Sequence, residues 1–282
     1  MKWRGRRGSR NVIDRRGVSA GKAGGIGGVG LIIVLVVGYF LGIDVTPLLN
    51  GGSVPVQSTE RRELSPQEQA AGEFVSVVLA DTEAVWGEVF PEQLGREYRA
   101  PQLVLFSGRV ASGCGGASAA TGPFYCPSDR RAYLDTQFFA TLQNRLGAEG
   151  DFAAAYVVAH EIAHHVQNEL GILGQVNEAK AAAGERRRND LSVRTELQAD
   201  CLSGVWARHA QDRLGTVEPG DLEEALNAAR QIGDDVLQRS AGRTPMPHTF
   251  THGSADQRQS WFAKGYARGA MEDCDTFGSG QL

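Results

Sequence analysis

Apolar positions recur at helical spacing along most of the chain beyond residue 64. The first such stretch begins with Ser65, Pro66 and Glu68, which together form a capped helix start, and its apolar face continues through Phe74. The same spacing predicts four further helices, over residues 151–170, 192–214, 221–239 and 254–273. The second of these is expected to begin at Ser192, a typical cap residue. Helices therefore dominate the predicted domain.

Two short runs between the first and second helices have the composition of β-strands. They cover residues 101–106 (PQLVLF) and 131–135 (RAYLD), and a stretch rich in Gly, Ser and Ala separates them. We expect the second run to form an edge strand that leads into the helical half. The chain thus combines a small sheet with several helices.

A different pattern occupies residues 26–43, where every position is apolar or Gly. This run is just long enough to cross a bilayer as an α-helix. Residues 1–25 carry a charge of +7 and the rest of the chain −11. By the positive-inside rule, this asymmetry places the N-terminus in the cytoplasm and the following domain on the outer side of the inner (cytoplasmic) membrane. A cleavable signal peptide is the alternative, but no small-residue cleavage site follows the run closely.

These patterns divide the chain into four predicted parts. They are a basic cytoplasmic tail (1–25), a transmembrane helix (26–43), a polar linker containing Pro and Gly (44–63) and the functional domain (64–282). The acidic charge of the domain argues against nucleic acid as a partner, because phosphate binding requires a positive surface.

The predicted helix at 151–170 contains His160, Glu161 and His164 in the order His-Glu-x-x-His. Residues four apart lie on one helix face, so both imidazoles can bind the same metal ion, and neutral imidazoles suit zinc. Glu161 is rotated from that line by about 100°, which places its carboxylate near a metal-bound water as a general base. The motif therefore predicts a catalytic site with one Zn²⁺. A polar helix face open to solvent is the alternative.

A third ligand must come from farther along the chain. Five downstream carboxylates are candidates: Glu169, Glu178, Glu185, Glu196 and Asp200. Glu196 is favoured because a helix that begins near Ser192 would hold it rigidly opposite the first helix. Asp200, one turn later, is then placed to accept the other ring N–H of a ligand His and to fix its orientation.

Three further histidines lie near these motifs or in a later loop. His165 directly follows a predicted ligand and must point elsewhere on the helix, so we predict a surface or packing residue. His248 and His252 share a loop, and one of them could stabilise the oxyanion that forms during hydrolysis. We favour His252 as this catalytic residue. Ordinary polar contacts within the loop are the alternative.

Four cysteines in a domain predicted to lie outside the cytoplasm favour two disulfide bonds. Cys114 with Cys126 is the preferred pair because the loop between them is short and rich in Gly. This leaves Cys201 with Cys274. The alternative for Cys201 is a small buried residue without a bond.

Three segments, AHEIAHHVQ, RTELQADCLSGVWA and FTHGSADQRQSWF, together with the basic tail and single apolar run, resemble the neutral zinc metallopeptidases of bacteria. The stretch from Glu196 to Asp200 is also similar to the gluzincins, in which the matching Asp supports a ligand His. The resemblance implies zinc at His160, His164 and Glu196, with Glu161 catalytic. It also implies an α+β, zincin-like metallopeptidase domain, with helices and a small mixed sheet, behind one N-terminal transmembrane helix. An edge strand would bind extended substrate by β-augmentation.

The leading hypothesis is a membrane-anchored, zinc-dependent metalloendopeptidase acting on protein or peptide substrates. In it, Glu161 assists the attack of a zinc-bound water on the peptide bond. Two other functions stay open. One is a zinc-stabilised binding or scaffold protein without catalysis, which predicts zinc content but no turnover. The other is a metal-dependent hydrolase of a non-peptide amide bond, which predicts cleavage of cell-wall fragments.

Overall fold

The computed structural model describes residues 1–17, 62–118 and 121–278, and its architecture is α+β. The strands are β1 (Val12–Asp14), β2 (Gln102–Phe106), β3 (Arg109–Ser112), β4 (Gly115–Ser118), β5 (Phe124–Cys126) and β6 (Arg131–Asp135). The α-helices are α1 (Pro66–Leu94), α2 (Gln137–Asn144), α3 (Asp151–Glu169), α4 (Ile172–Ala181), α5 (Glu185–His209), α6 (Asp221–Gln231), α7 (Asp234–Ser240) and α8 (Ala255–Arg268). Single turns of π- or 3₁₀-helix cover Ala210–Leu214, Pro247–Thr249 and Met271–Cys274.

A four-stranded mixed sheet has the order β1-β2-β6-β5. The first three strands of this order are parallel, whereas β5 is antiparallel to β6. The predicted strands are therefore present as β2 and β6, but β6 lies inside the sheet and the expectation of an edge strand there is wrong. β5 forms that edge because it pairs with the outer side of β6. Its Tyr125 hydroxyl lies 3.0 Å from Nδ1 of His165, which joins the edge to α3.

The two faces of the sheet contact different parts of the molecule, as the alternation of side chains along a strand requires. Leu103, Leu105 and Leu134 belong to the main core, which they share with buried residues of α1 and α3. Val104 and Tyr133 point the other way, into a smaller cluster under the β3–β4 hairpin. The sheet thus supports α3, the helix that carries both predicted ligand histidines, from one side.

Helices α5 and α8 approach each other closely through two glycines. A Cβ atom at Gly204 would lie 2.0 Å from the Phe262 carbonyl oxygen, and one at Gly265 would lie 1.9 Å from the Cys201 carbonyl oxygen. Neither position has room for a side chain, so only glycine permits this packing. The contact brings Arg258 of α8 against the helix that carries Glu196 and Asp200.

Three predicted helices differ from the observed ones, and the one predicted at 254–273 ends at Arg268, where Gly269 provides a left-handed cap. The helix predicted to begin at Ser192 begins at Glu185, and the Ser192 hydroxyl bonds to the Arg188 carbonyl oxygen inside the helix. The predicted helix at 221–239 is divided into α6 and α7. The break lies at Gly233, where a Cβ atom would come within 2.4 Å of the Ala255 backbone nitrogen at the start of α8.

Residues 1–17, here called the N-terminal arm, pack on the domain and add β1 to its sheet. The arm shares the core and the ion pairs of the domain, and the cytoplasmic location of residues 1–25 stays a prediction. Trp3 is 9% exposed and its indole nitrogen donates to Asp151 at 3.1 Å. The guanidinium of Arg6 pairs with Asp81 of α1. Part of the basic charge from which a cytoplasmic tail was predicted is therefore paired with a carboxylate of the domain.

The residues on either side of segment 18–61 are in contact, because the Arg62 N–H donates to the Gly17 carbonyl oxygen at 3.2 Å. Within the described ranges, no helix is long and apolar enough to span a bilayer. The predicted transmembrane helix (26–43) and the predicted linker as far as residue 61 lie outside the described residues.

Replacing Trp3 by Ala is expected to lower the free energy of unfolding by about 3 kcal/mol, because a buried aromatic ring is removed from the core. The ring packs edge-on against Phe74 at a centroid distance of 5.4 Å. Chemical denaturation of the metal-free full chain would measure the change. The exposed Arg10 provides the control, and Arg10→Ala should change stability by less than about 0.5 kcal/mol. A separate cytoplasmic tail predicts no difference between the two variants.

Candidate metal centre

Helices α3 and α5 bring the three predicted ligands together. Nε2 of His160 lies 3.0 Å from Oε2 of Glu196, and Nε2 of His164 lies 3.6 Å from the same oxygen. The three donor atoms are all within 4.8 Å of one another. Donors about 2.0–2.2 Å from a tetrahedral zinc ion stand about 3.4 Å apart. Two imidazole nitrogens and one carboxylate oxygen at these separations fit a zinc ion with one remaining coordination position.

His160, His164 and Glu196, here called the trio, are partly open to solvent. The side chain of His160 is 8% exposed, that of His164 is 14% and that of Glu196 is 20%. His164 and Glu196 are thus the more exposed members of the trio. Structural zinc sites are usually closed by four protein ligands, whereas catalytic sites keep one position open.

Charge pairing within the trio shifts the pKa values of its members in opposite directions. Burial acts to lower the pKa of His160, but its contacts with Asp200 and Glu196 outweigh this effect and raise the pKa to about 10. Burial acts to raise the pKa of Glu196, but His164 and His160 hold it well below its usual range. The carboxylate of Glu196 therefore supplies the negative charge that a cation requires.

A buried network lies behind His160. Nδ1 of this residue is 2.9 Å from Oδ1 of Asp200, which also accepts a hydrogen bond from the Tyr156 hydroxyl at 2.5 Å. The Arg258 guanidinium donates to both carboxylate oxygens of Asp200, from Nε at 2.8 Å and from Nη2 at 2.9 Å. Asp200 is fully buried and Arg258 is 2% exposed. Asp200 thus has the position predicted for a carboxylate that orients a ligand His.

Tyr156 and Arg258 were not predicted as residues of the site, although the sequence contains a signal for each. Tyr156 is one helical turn before His160, so the ring lines up with the two ligand histidines. Arg258 is three and four residues before Trp261 and Phe262 on the apolar side of α8. A lone cation on an apolar helix face indicates a buried carboxylate partner, because burying a charge without one is costly.

Glu161 is buried beside the trio, with 8% of its surface exposed. Burial raises the pKa of its carboxyl group, and electrostatic interactions with the neighbouring His164 and His160 oppose this shift. A carboxyl group whose proton affinity is raised in this way is suited to accept a proton and return it. Its place next to His160 on α3 agrees with the role predicted for a general base.

His252 lies in the loop before α8 and is fixed by Asp234, the first residue of α7. Oδ2 of Asp234 accepts backbone N–H bonds from Thr251, His252 and Gly253 at 2.7, 2.6 and 3.0 Å. Oδ1 of the same side chain is 3.3 Å from Nδ1 of His252. Burial acts to lower the pKa of His252, but Asp234 and the charge of Glu196 raise it. Nδ1 of the imidazole is thus held toward Asp234, and the ring is close enough to Glu196 for the carboxylate charge to act on it.

The other histidines and carboxylates considered from the sequence lie elsewhere. His165 is buried, with Nε2 2.6 Å from the Arg99 carbonyl oxygen, and packs toward β5. His248 is exposed and belongs to a groove of about 470 Å³ between α5 and the loop before α8. Glu169 pairs with Arg130. Glu178 and Glu185 are exposed and are not part of the trio.

Both predicted disulfide bonds are present, Cys114–Cys126 and Cys201–Cys274. The first ties the β3–β4 hairpin to the edge strand β5. The second ties the last 3₁₀ turn to α5, one residue after Asp200. The latter bond therefore holds the C-terminal segment against the helix that supplies the carboxylate of the trio.

Comparisons with known proteins agree with this geometry. A family model described as "Putative neutral zinc metallopeptidase" matches residues 1–277. The uncharacterized protein YpfJ of Escherichia coli (strain K12) is 46% identical over 287 residues, which cover 99% of each chain. The uncharacterized protein Rv2575 of Mycobacterium tuberculosis is 49% identical over 212 residues, which cover 71% of this chain and 68% of that protein. No solved structure matches the chain. The chain belongs to the neutral zinc metallopeptidase family.

Proposed function

We propose that the protein is a zinc-dependent metalloendopeptidase that binds one zinc ion through His160, His164 and Glu196. The observation that carries this proposal is the meeting of three donor atoms within 4.8 Å, partly open to solvent, beside the buried carboxyl group of Glu161. A structural or scaffold site would have no need of an open position or of a buried acid next to its ligands. The family to which the chain belongs supports the same activity.

The chain's own residues have separable roles in this mechanism. Zinc, when bound, supplies a Lewis acid that polarises a water molecule and the substrate carbonyl group. Glu161 accepts the proton of the attacking water and passes it to the leaving amine. Asp200 holds His160 with Nδ1 turned away from the trio, so that Nε2 is available as a ligand. His252, oriented by Asp234, donates a hydrogen bond to the developing oxyanion.

The edge strand β5 is the proposed binding place for an extended substrate. Tyr125 of this strand contacts His165 of α3, the helix that carries His160 and His164. A peptide added to the free edge of β5 would have its backbone hydrogen-bonded to that strand. This arrangement favours unfolded or loop segments over small molecules as substrates.

We also propose that the domain acts outside the cytoplasm. Two disulfide bonds support an oxidising compartment, since cytosolic thiols are kept reduced. Attachment to the inner membrane through residues 26–43 stays a proposal. Because β1 of the N-terminal arm is paired with β2 of the domain, the arm and the domain must lie on the same side of the membrane while this pairing is intact. Protease treatment of intact spheroplasts tests it. Cleavage of both the arm and the domain supports this topology, and protection of the arm alone supports a single crossing.

The activity is tested with the purified full chain in detergent, an unstructured protein as substrate, and zinc. We expect internal cleavage that a chelator abolishes and added zinc restores. A folded, zinc-loaded protein that cleaves no peptide would favour the scaffold function. Cleavage of cell-wall fragments instead of peptides would favour a hydrolase of another amide bond.

Replacing His252 by Ala is expected to lower kcat by about 10- to 100-fold. This decrease is somewhat smaller than the one expected when an oxyanion donor held rigidly by the backbone is removed. The zinc affinity should not change, because the imidazole is not one of the three donors. Peptide hydrolysis and zinc titration measure the two effects. His248→Ala is the matched control in the same loop and should keep its kcat. Equal activity of both variants would remove His252 from the mechanism.

A further inference from the structure

A second buried network, composed of amides, lies behind His164. Nδ1 of His164 is 2.8 Å from Oε1 of Gln167, a side chain that is fully buried. An imidazole binds a metal through the nitrogen that carries no proton. His164 can present Nε2 to a metal only if the proton sits on Nδ1, and Nδ1–H then needs an acceptor. The Gln167 oxygen is in the place where that acceptor is required.

The direction of the Gln167 amide is determined by its surroundings. Its Nε2 donates to the Thr195 carbonyl oxygen at 2.7 Å and to Oε1 of Gln198 at 3.0 Å. A carbonyl oxygen only accepts hydrogen bonds, so the nitrogen of Gln167 must face Thr195 and its oxygen must face His164. No water is needed to satisfy either end of this amide. The backbone of α5 therefore selects which end of Gln167 meets the imidazole.

The same argument extends to the next amide. Nε2 of Gln198 donates to the Cys274 carbonyl oxygen at 3.0 Å, which leaves Oε1 of Gln198 to accept from Gln167. Cys274 ends the last 3₁₀ turn and is bonded to Cys201, three residues after Gln198 on α5. The disulfide thus holds the carbonyl group at which this series of hydrogen bonds ends.

We propose that Gln167 is a positioning residue that holds His164 in the tautomer with Nε2 available for zinc, and that the Cys201–Cys274 disulfide anchors the far end of its amide relay. The relay is His164–Gln167–Gln198–Cys274 carbonyl. The two ligand histidines are thus supported differently, His160 by a carboxylate and His164 by a neutral amide. The amide fixes the imidazole without placing another negative charge behind the trio. This inference rests on the zinc site of the proposed function, but it does not require hydrolysis.

The test measures zinc affinity of the full chain by competition with a chelating indicator. Gln167→Leu removes the acceptor at nearly the same side-chain volume, and we expect the affinity to fall about 10- to 100-fold. Gln167→Glu keeps an acceptor for Nδ1–H, so its zinc affinity should stay within about three-fold, although its second oxygen faces two acceptors and lowers the stability. Long-range ¹H–¹⁵N NMR of the imidazoles reports the tautomer of His164 directly. If Gln167 had only a structural role, the zinc affinities of the two variants would follow their stabilities and not the presence of an acceptor for Nδ1–H.

The anchor is tested with paired cysteine variants. Replacing both Cys201 and Cys274 by Ser should lower the zinc affinity several-fold, whereas replacing both Cys114 and Cys126 by Ser removes the other disulfide and should leave it unchanged. Gln198→Leu interrupts the relay with both disulfides present, and we expect a loss of similar size to that of the first pair. Circular dichroism confirms folding in each case.

Two results would overturn the inference. One is a folded Gln167→Leu variant with unchanged zinc affinity and an unchanged His164 tautomer. The other is an equal loss of affinity in both disulfide variants. A protein that binds zinc with the expected order of affinities but cleaves no peptide would contradict the proposed function and leave the role of Gln167 intact.

Discussion

Replacing Glu161 by Gln is expected to lower kcat for peptide hydrolysis by about 10²- to 10⁴-fold, the usual contribution of a positioned general base. The amide has nearly the same size as the carboxyl group but cannot accept the proton of the attacking water. Glu161 lies outside the donor trio, so the zinc content should stay the same. Hydrolysis of a fluorogenic peptide, together with zinc analysis of the same sample, measures both quantities.

Glu178→Gln is the matched control, because Glu178 is exposed on the neighbouring helix α4. It should show the same kcat as the unchanged chain. Full activity of Glu161→Gln would contradict the proposed mechanism, and a loss of zinc together with activity would assign Glu161 to the structure of the site. The experiment therefore separates proton transfer from metal binding.

Local signals in the sequence were sufficient for several features of the fold and the site. The cap of α1 is formed as predicted, with the Ser65 hydroxyl accepting from the Glu68 N–H and the Glu68 carboxylate accepting from the Ser65 N–H. His160 and His164 lie one turn apart on one helix, and the Cys114–Cys126 pair follows from its short loop. Each of these depends on residues close in sequence, so spacing alone determines the geometry.

Features that depend on distant partners could not be read from spacing. The strand β1 has only three residues, and it pairs with β2 across about ninety residues of chain. Its Arg-rich surroundings resembled a cytoplasmic tail because the partner carboxylates, such as Asp81, are far away in sequence. The amide of Gln167 is a similar case, since its acceptors Thr195 and Gln198 are on another helix. A polar residue on a buried helix face indicates that a hydrogen-bond partner exists, but the sequence does not show which residue that partner is.

Replacing Arg258 by Met is expected to lower the free energy of unfolding of the metal-free protein by about 3–5 kcal/mol. The side chain is buried, and its loss leaves the carboxylate of Asp200 in a low-dielectric environment without its cation. The remaining donor, the Tyr156 hydroxyl, contacts only one of the two carboxylate oxygens that the guanidinium contacts. Denaturant unfolding, monitored after the metal has been removed, measures the change.

A matched control is available at the surface. Arg239 pairs with Asp235 one turn away on α7, and its side chain is 60% exposed. Arg239→Met should therefore lower the stability by less than about 1 kcal/mol. A loss of the same small size for Arg258→Met would contradict a buried ion pair behind the trio.

The double variant Asp200→Asn with Arg258→Met tests whether the ion pair stabilises the fold or orients His160 for zinc. Removing both charges should restore part of the stability lost in Arg258→Met, because no unpaired charge is left buried. Zinc affinity should nevertheless fall about 10- to 100-fold, since Nδ1 of His160 no longer faces a carboxylate. Recovery of stability in the double variant without recovery of zinc affinity would indicate that this ion pair orients the ligand His160. Parallel recovery of both quantities would instead assign the pair to packing alone.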